Sequence, residues 1–255
     1  MTSTDQSRAS GSSAERSLRV LTALAREGKG MSLAQLAAEL QLPKATAHRL
    51  TSQLLELGFI SKGEDERQFE IGPAMRRMAL DTLNHDTERG LRHSVLTDVV
   101  NRVGETCNFT TLDGVGVMYL DRVEAPWPWR LTLDVGVHVP IHCTASGKLF
   151  LALMPEAQRE RVLQTIELTP MTARTLTRAA ALQRECAEIA QADCAYDREE
   201  FIPGLIAMAV PVRDSAQQLR GAIAVHAPTA RLSLDKVTEH LPALRHAAER
   251  MGRLL

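Results

Sequence analysis

Aromatic residues are scarce in this chain, with five Phe, two Tyr and two Trp among 255 residues. The core must therefore be built from Leu, Val, Ile, Ala and Met. Cysteine is scarce as well. Cys107, Cys143, Cys186 and Cys194 are far apart and form no C-x-x-C pair, so they read as buried small hydrophobes in a reducing compartment. Neither sign of charge prevails: 30 Lys and Arg stand against 31 Asp and Glu, and this balance by itself names no partner. No apolar run approaches the roughly 20 residues that cross a bilayer. The opening MTSTDQSRASGSSAERS lacks the apolar stretch of a signal peptide. A cytoplasmic protein without membrane contact is expected. With 44% hydrophobic and 24% charged residues, wholesale disorder is excluded, and the length suits two modest domains.

Residues 1–14, rich in Ser, Thr and Gly, read as a disordered tail. From Ser17 to Glu27 the spacing predicts a helix with Leu18, Leu21, Leu24 and Ala25 on one face, ended by Gly28-Lys29-Gly30. Ser32-Leu33-Ala34-Gln35 has the form of a capping box. It opens a second helix to about Leu40, with Leu33, Leu36, Ala37 and Leu40 inward. Pro43 then opens a third helix, KATAHRLTSQLLELG, with Ala47, Leu50, Leu54 and Leu57 as its apolar face and Gly58 as its stop. Alternating flanks around a charged turn, Phe59–Ser61 and Gln68–Ile71, predict a hairpin. Three helices and a hairpin over 15–73 make a winged helix-turn-helix. Residues 74–90 read as a linker helix with a break near Asn84–Glu88, and 91–255 as a second domain. There, short strands are expected at Phe109–Leu112, Gly116–Val123, Arg130–Val135, Ile206–Arg213 and Leu219–Pro228. Helices are expected at Ser146–Met154, Glu156–Ile166, Arg178–Gln191 and Leu234–Leu255. Hairpin-length connections favour an α+β domain around an antiparallel sheet.

The third helix offers Lys44, Thr46, His48, Arg49 and Ser52 on its exposed face, with small residues at Ala45 and Ala47 permitting close approach. Arginine bonds guanine edges bidentately, and Lys and hydroxyls anchor phosphates. Ser32, Lys44, Ala45, Thr46, His48, Arg49 and Ser52 are thus the candidate DNA-binding residues, joined by Lys62 and Arg67 of the hairpin. Up to residue 80 the chain carries 11 basic against 9 acidic side chains, compatible with a duplex but not diagnostic. A winged helix that contacts protein instead of DNA is the alternative.

The segment SLRVLTALAREGKGMSLAQLAAELQLPKATAHRLTSQLLELGFI resembles the DNA-binding domain of IclR-family bacterial transcription regulators. The likeness continues through PIHCTASGKLFLA (140–152), YDREEFIPGLIAMAVPV (196–212) and RGAIAVHAP (220–228), in the family order. Ala45 departs from it, standing where the family usually has Ser. The resemblance implies a GAF-like α+β effector-binding domain after the winged helix and linker. It also implies a double-stranded DNA operator as partner and a homodimer or dimer of dimers. Two recognition helices would then enter successive major grooves about 34 Å apart.

No enzyme motif survives scrutiny. Leu149 occupies the Ser/Thr position of a P-loop, Ser146 lacks a G-x-S-x-G frame, and Pro140 breaks the helix that would pair His138 with His142 on zinc. Neither a metal nor a cofactor is expected. Thr144-Ala145-Ser146-Gly147 opening a helix suits an anion instead, with a plain N-cap as the alternative, and Lys148 reads as structural. The resemblance places this loop in the effector pocket. Family members that sense glyoxylate or pyruvate use an Asp, a Cys and two Ser, at positions that here are Asp197, Ala207, Ala224 and His226. Losing polar partners disfavours a small hydrated acid, so an aromatic or bulky carboxylate is expected, with a small 2-oxo acid as the alternative. His226 is the candidate donor, and Trp127-Pro128-Trp129-Arg130 a candidate lid. Phe109, Leu112 and Met118 are candidate walls, with core packing as their other role. Asp197 either meets ligand or caps its loop.

Overall fold

A computed structural model describes residues 12–63, 66–85, 87–128 and 133–255. The chain divides into two compact units, with the division between His85 and Asp86.

The first unit begins with α1, Ser13–Glu27, whose N-cap is Ser12; the Ser12 hydroxyl accepts from the Glu15 amide. Helix therefore starts inside the segment expected to be tail. Its buried arc is Val20, Leu21, Ala23 and Leu24. Leu18 (64% exposed) and Ala25 fall outside it. Val20 and Leu24, one turn apart, set the centre of the stripe, and Leu18 lies beyond the Leu21 edge. β1, Met31–Ser32, leads into α2, Leu33–Glu39, through the complete capping box: the Ser32 side chain accepts from the Gln35 amide and the Gln35 side chain from the Ser32 amide. α3, Lys44–Glu56, buries Ala47, Leu50, Thr51 and Leu54. Leu57 follows its last turn and is 65% exposed, outside the core. β2, Ile60–Lys62, and β3, Gln68–Ile71, pair as the wing, and β1 adds to β3 to give sheet order β1-β3-β2. That third strand is too short to announce itself in the sequence. α4, Pro73–His85, closes the unit, and α5, Thr87–Val103, opens the next.

The second unit is a six-stranded antiparallel sheet. Its strands are β4 (Thr106–Asp113), β5 (Gly116–Val123), β6 (His138–Pro140), β7 (Ala195–Arg198), β8 (Leu205–Arg213) and β9 (Leu219–Pro228), in the order β6-β5-β4-β9-β8-β7. The strand expected at 130–135 is not formed by its described residues 133–135; β6 takes the edge instead, further along. β7 was not anticipated from the sequence. The helices are α6 (Ala145–Leu153), α7 (Glu156–Thr165), α8 (Ala179–Ala192), α9 (Leu234–Glu239) and α10 (Leu241–Gly252). The single closing helix expected from Leu234 is thus two, divided at His240 with Pro242 in the first turn of the second.

Helices cover both faces of the sheet: α6 lies on β7, β8 and β9, and α5 and α10 contact β5, β8 and β9 from the other. This explains why β8 is buried on both sides, unlike a half-solvated antiparallel strand. Alternation then divides the residues by size. On the α6 side stand Ala207, Ala209, Ala222 and Ala224, within the core that includes Leu149, Phe150 and Leu182. On the other stand Met208, Val210, Ile223 and Val225, all fully buried. The alanines leave space beneath the start of α6.

Candidate effector site and DNA-reading face

On α3, Lys44, Ala45, His48, Arg49 and Ser52 are exposed and Thr46 half-buried, while Ala47 and Leu50 anchor the helix. Pro43 precedes α3 without a side-chain cap, so first-turn N–H groups remain available to an anion. Lys62 sits with its ammonium 3.9 Å from the centre of the Phe69 ring, and Arg67 is exposed. Ser32 stands apart at the head of α2, its hydroxyl and amide both engaged with Gln35. Lys44, Ala45, His48, Arg49 and Ser52 lie on the exposed side of α3, and Lys62 and Arg67 are exposed on the wing.

In the second unit a small cavity that opens to solvent lies between the α6 N-terminus and the alanine face of the sheet. Of the residues singled out in the sequence, Thr144, Ala145, Ser146, Asp197, Ala207, Ala224 and His226 line it. Phe109 and Met118 do not. Each is buried, but each points to the opposite face from its neighbours Asn108 and Thr110 on β4, and Val117 and Tyr119 on β5, which do line the cavity. Phe109 instead packs onto Gly221, where a Cβ would meet its ring at 2.4 Å. Gly147 is not a wall either; it permits close approach, since a Cβ there would lie 2.2 Å from the Ile141 carbonyl oxygen. Trp127, 43% exposed, is pinned outside: its indole N–H donates to the Gly104 carbonyl at 2.8 Å and Arg231 lies 5.2 Å from its ring. Trp129 and Arg130 lie outside the described residues. Val139, Phe201 and Leu205 complete the lining. The signal for the missed residues was parity, but the register Asn108↔Ala224 and Thr110↔Ala222 comes from a pairing more than a hundred residues apart.

The polar groups sort by what already holds them. The Thr144 hydroxyl is occupied, donating to the Pro140 carbonyl at 2.8 Å and accepting from the Gly147 amide at 3.2 Å as N-cap of α6. Ser146, buried in the first turn, lines the cavity. Asp197 caps its loop and stands at the cavity wall. One carboxyl oxygen accepts from the amides of Glu200 (2.7 Å) and Phe201 (3.4 Å), while the group also lines the cavity. Burial pushes its pKa up to about 7, against the lowering effect of the Glu200 amide. Burial also holds the Tyr119 phenol at about 12, so it remains protonated. His226 is not the donor the sequence suggested. Both ring nitrogens are engaged within the protein, Nε2 with Arg122 and Nδ1 with Asn108, each at 3.2 Å. Burial and the Arg122 charge lower its pKa to about 3, so the ring is neutral. Lys148, fully buried, pairs with Glu185 at 3.0 Å and with Glu200, which confirms its structural part.

The Cys143 thiol is pushed up to about 12 by burial, which removes it as a nucleophile at neutral pH. Among the described residues no group of three metal-ligating side chains occurs and no helix is long and apolar enough to cross a membrane.

Residues 13–64 match the model for the IclR helix-turn-helix domain, and residues 84–253 match the bacterial transcriptional regulator IclR C-terminal domain. A probable transcriptional regulator, SauR, from Cupriavidus necator is 40% identical over 95% of this chain and 96% of its own. The crystal structure of the Thermotoga maritima IclR superposes with a TM-score of 0.63 at 25% identity, over 94% of this chain and 97% of that one. An IclR homolog from Microbacterium hydrocarbonoxydans complexed with 4-hydroxybenzoate superposes at 0.59 and 23% identity, over 96% and 99%. The matched domains are those of bacterial transcriptional regulators. The chain belongs to the IclR family of bacterial transcriptional regulators, with a DNA-binding winged helix and an effector-binding domain.

Proposed function

We propose that the regulator responds to an aromatic or similarly bulky carboxylate held in the cavity of the second unit, and that it controls a catabolic operon for that compound. The carrying observation is the composition of the cavity. Val117, Val139, Leu205, Phe201, Ala207 and Ala224 supply an apolar body, and polar groups are confined to Asp197, Asn108, His226, Tyr119, Thr110 and the head of α6. Alanine at 207 and 224 gives a small hydrated acid nothing to bond, whereas an apolar ring gains from burial there. That the same fold holds 4-hydroxybenzoate in the Microbacterium protein is a likeness of fold, compatible with this reading. DNA is contacted from the exposed face of α3 through Lys44, Thr46, His48, Arg49 and Ser52, with the Ala45 backbone and the wing residues Lys62 and Arg67 adding phosphate contacts. The working form is a homodimer or a dimer of dimers in the cytoplasm, and the effector acts by differential affinity for DNA-competent and DNA-incompetent arrangements.

A thermal-shift screen of the full chain tests the ligand class. Benzoates are compared with pyruvate and glyoxylate. A ligand at about 100 times its Kd adds about 2.7 kcal/mol to the native state. Stabilisation by benzoates alone is expected, and stabilisation by the small acids alone refutes it.

A further inference from the structure

The hydrogen bonds around His226 determine which way the Asn108 carboxamide faces, and the inference rests on the cavity being the effector site. Asn108, Arg122 and Ala224 share one face of the sheet, Asn108 being register partner to both of the others. A guanidinium has only donors. Arg122 Nη2, 3.2 Å from His226 Nε2, therefore requires that nitrogen to be bare, and the single ring hydrogen must sit on Nδ1. That N–H needs an acceptor. The carboxamide nitrogen of Asn108 stands 3.2 Å away, while its oxygen has no hydrogen-bond partner among the described residues. Amide oxygen and nitrogen are interchangeable in outline and are assigned by their bonding. Exchanging them satisfies His226 and puts the amino group where the unpartnered oxygen stood, on a residue only 1% exposed that lines the cavity.

We propose that Asn108 is a specificity-determining residue: the Arg122–His226 relay fixes its amino group toward the cavity, and the effector meets it with a hydrogen-bond acceptor carried opposite its own carboxylate. The site thus prefers an acid whose second polar group accepts over one whose second group donates. An unmet buried donor is costly, and a ligand group that also donates leaves it unmet.

Nuclear magnetic resonance on the full chain, with histidine and asparagine isotopically labelled, reads the first half directly. A hydrogen on Nδ1 of His226, with a through-hydrogen-bond coupling to the Asn108 carboxamide carbon, is expected. A hydrogen on Nε2 overturns the proposal. The second half compares two probes, terephthalate (an acceptor at each end) and 4-aminobenzoate (a donor opposite the acid). The wild-type chain is expected to bind terephthalate at least tenfold more tightly. Asn108→Asp keeps the oxygen facing His226 and replaces the amino group by an acceptor, so the preference should reverse while the His226 tautomer persists. Equal preference in wild type and variant overturns the assignment. If neither probe binds, the aromatic reading of the effector fails, and the His226 tautomer alone then decides the orientation of Asn108.

Discussion

Replacing Lys148 by Met tests how the cavity loop is held. Lys148 is fully buried on α6, its ammonium 3.0 Å from Glu185 and bonded to Glu200, which is itself 4% exposed. Glu185 keeps Arg198 at 2.7 Å when the lysine is gone. Among the described residues Glu200 keeps only the Arg198 amide at 3.3 Å, so its carboxylate is left buried without a counter-charge there. Removing one partner of a buried pair costs roughly 3–5 kcal/mol. With a urea m-value of about 2 kcal/mol/M for a domain of this size, the midpoint should fall by about 1.5–2.5 M. Both tryptophans of the chain, Trp127 and Trp129, belong to the second unit, so their fluorescence follows this unfolding and not that of the winged helix. Lys148→Met combined with Glu200→Met should recover most of the loss, since an apolar pair of similar volume leaves no charge stranded. A single-variant shift below about 0.5 M, or a double variant no better than the single, refutes the reasoning. The Glu200 amide also holds Asp197, so the single variant should weaken effector binding at temperatures where it remains folded.

Asp197→Asn should flatten the pH dependence of stability. The native carboxyl titrates near about 7 against an ordinary 3.8. The folded chain thus holds the extra proton between roughly pH 4 and 7, and this contribution to stability declines as pH rises through that window. Melting temperatures at about pH 5 and about pH 8 should differ less in the variant, and an unchanged difference refutes the assignment. Ala224→Leu fills the cavity: ligand-induced stabilisation should vanish while affinity for DNA upstream of the gene persists, and retained ligand response in thermal-shift assays counts against the site. Arg49→Ala should weaken fluorescence-anisotropy binding to that DNA and relax sequence preference at one base pair, at a cost of about 1–3 kcal/mol. Unaltered affinity and salt slope would instead favour a winged helix that contacts protein. Ser32→Ala removes the α2 cap and should cost about 1 kcal/mol, read from urea unfolding by far-ultraviolet circular dichroism.

Local chemistry was legible in the sequence wherever a few neighbouring residues decide the outcome. The Ser32–Gln35 box, the α3 face with Ala47 and Leu50 beneath it, and the Thr144 cap of α6 all depend on spacings of three or four. What escaped depends on distant pairing. Phe109 reads as a wall from the sequence because strand parity carries no absolute face until β4 is registered against β9. Trp127 was given to the cavity because a cluster of aromatics invites it, and only the carbonyl of Gly104 shows where its indole goes. His226 carried the right position but the wrong role, since nothing in its neighbourhood along the chain points to Arg122 or Asn108.

The division of β8 and β9 into a small-residue face and a large-residue face has a consequence for how such sensors diversify. Exchange of Ala207 or Ala224, which line the cavity, alters the room offered to a ligand. Met208, Val210, Ile223 and Val225, interleaved with them, carry the packing on the opposite side. Two strands therefore hold two nearly independent texts, one letter apart. Selection can rewrite chemical preference in single steps without reopening the structural half of the domain, and directed libraries confined to Ala207 and Ala224 should retain folded proteins at high frequency.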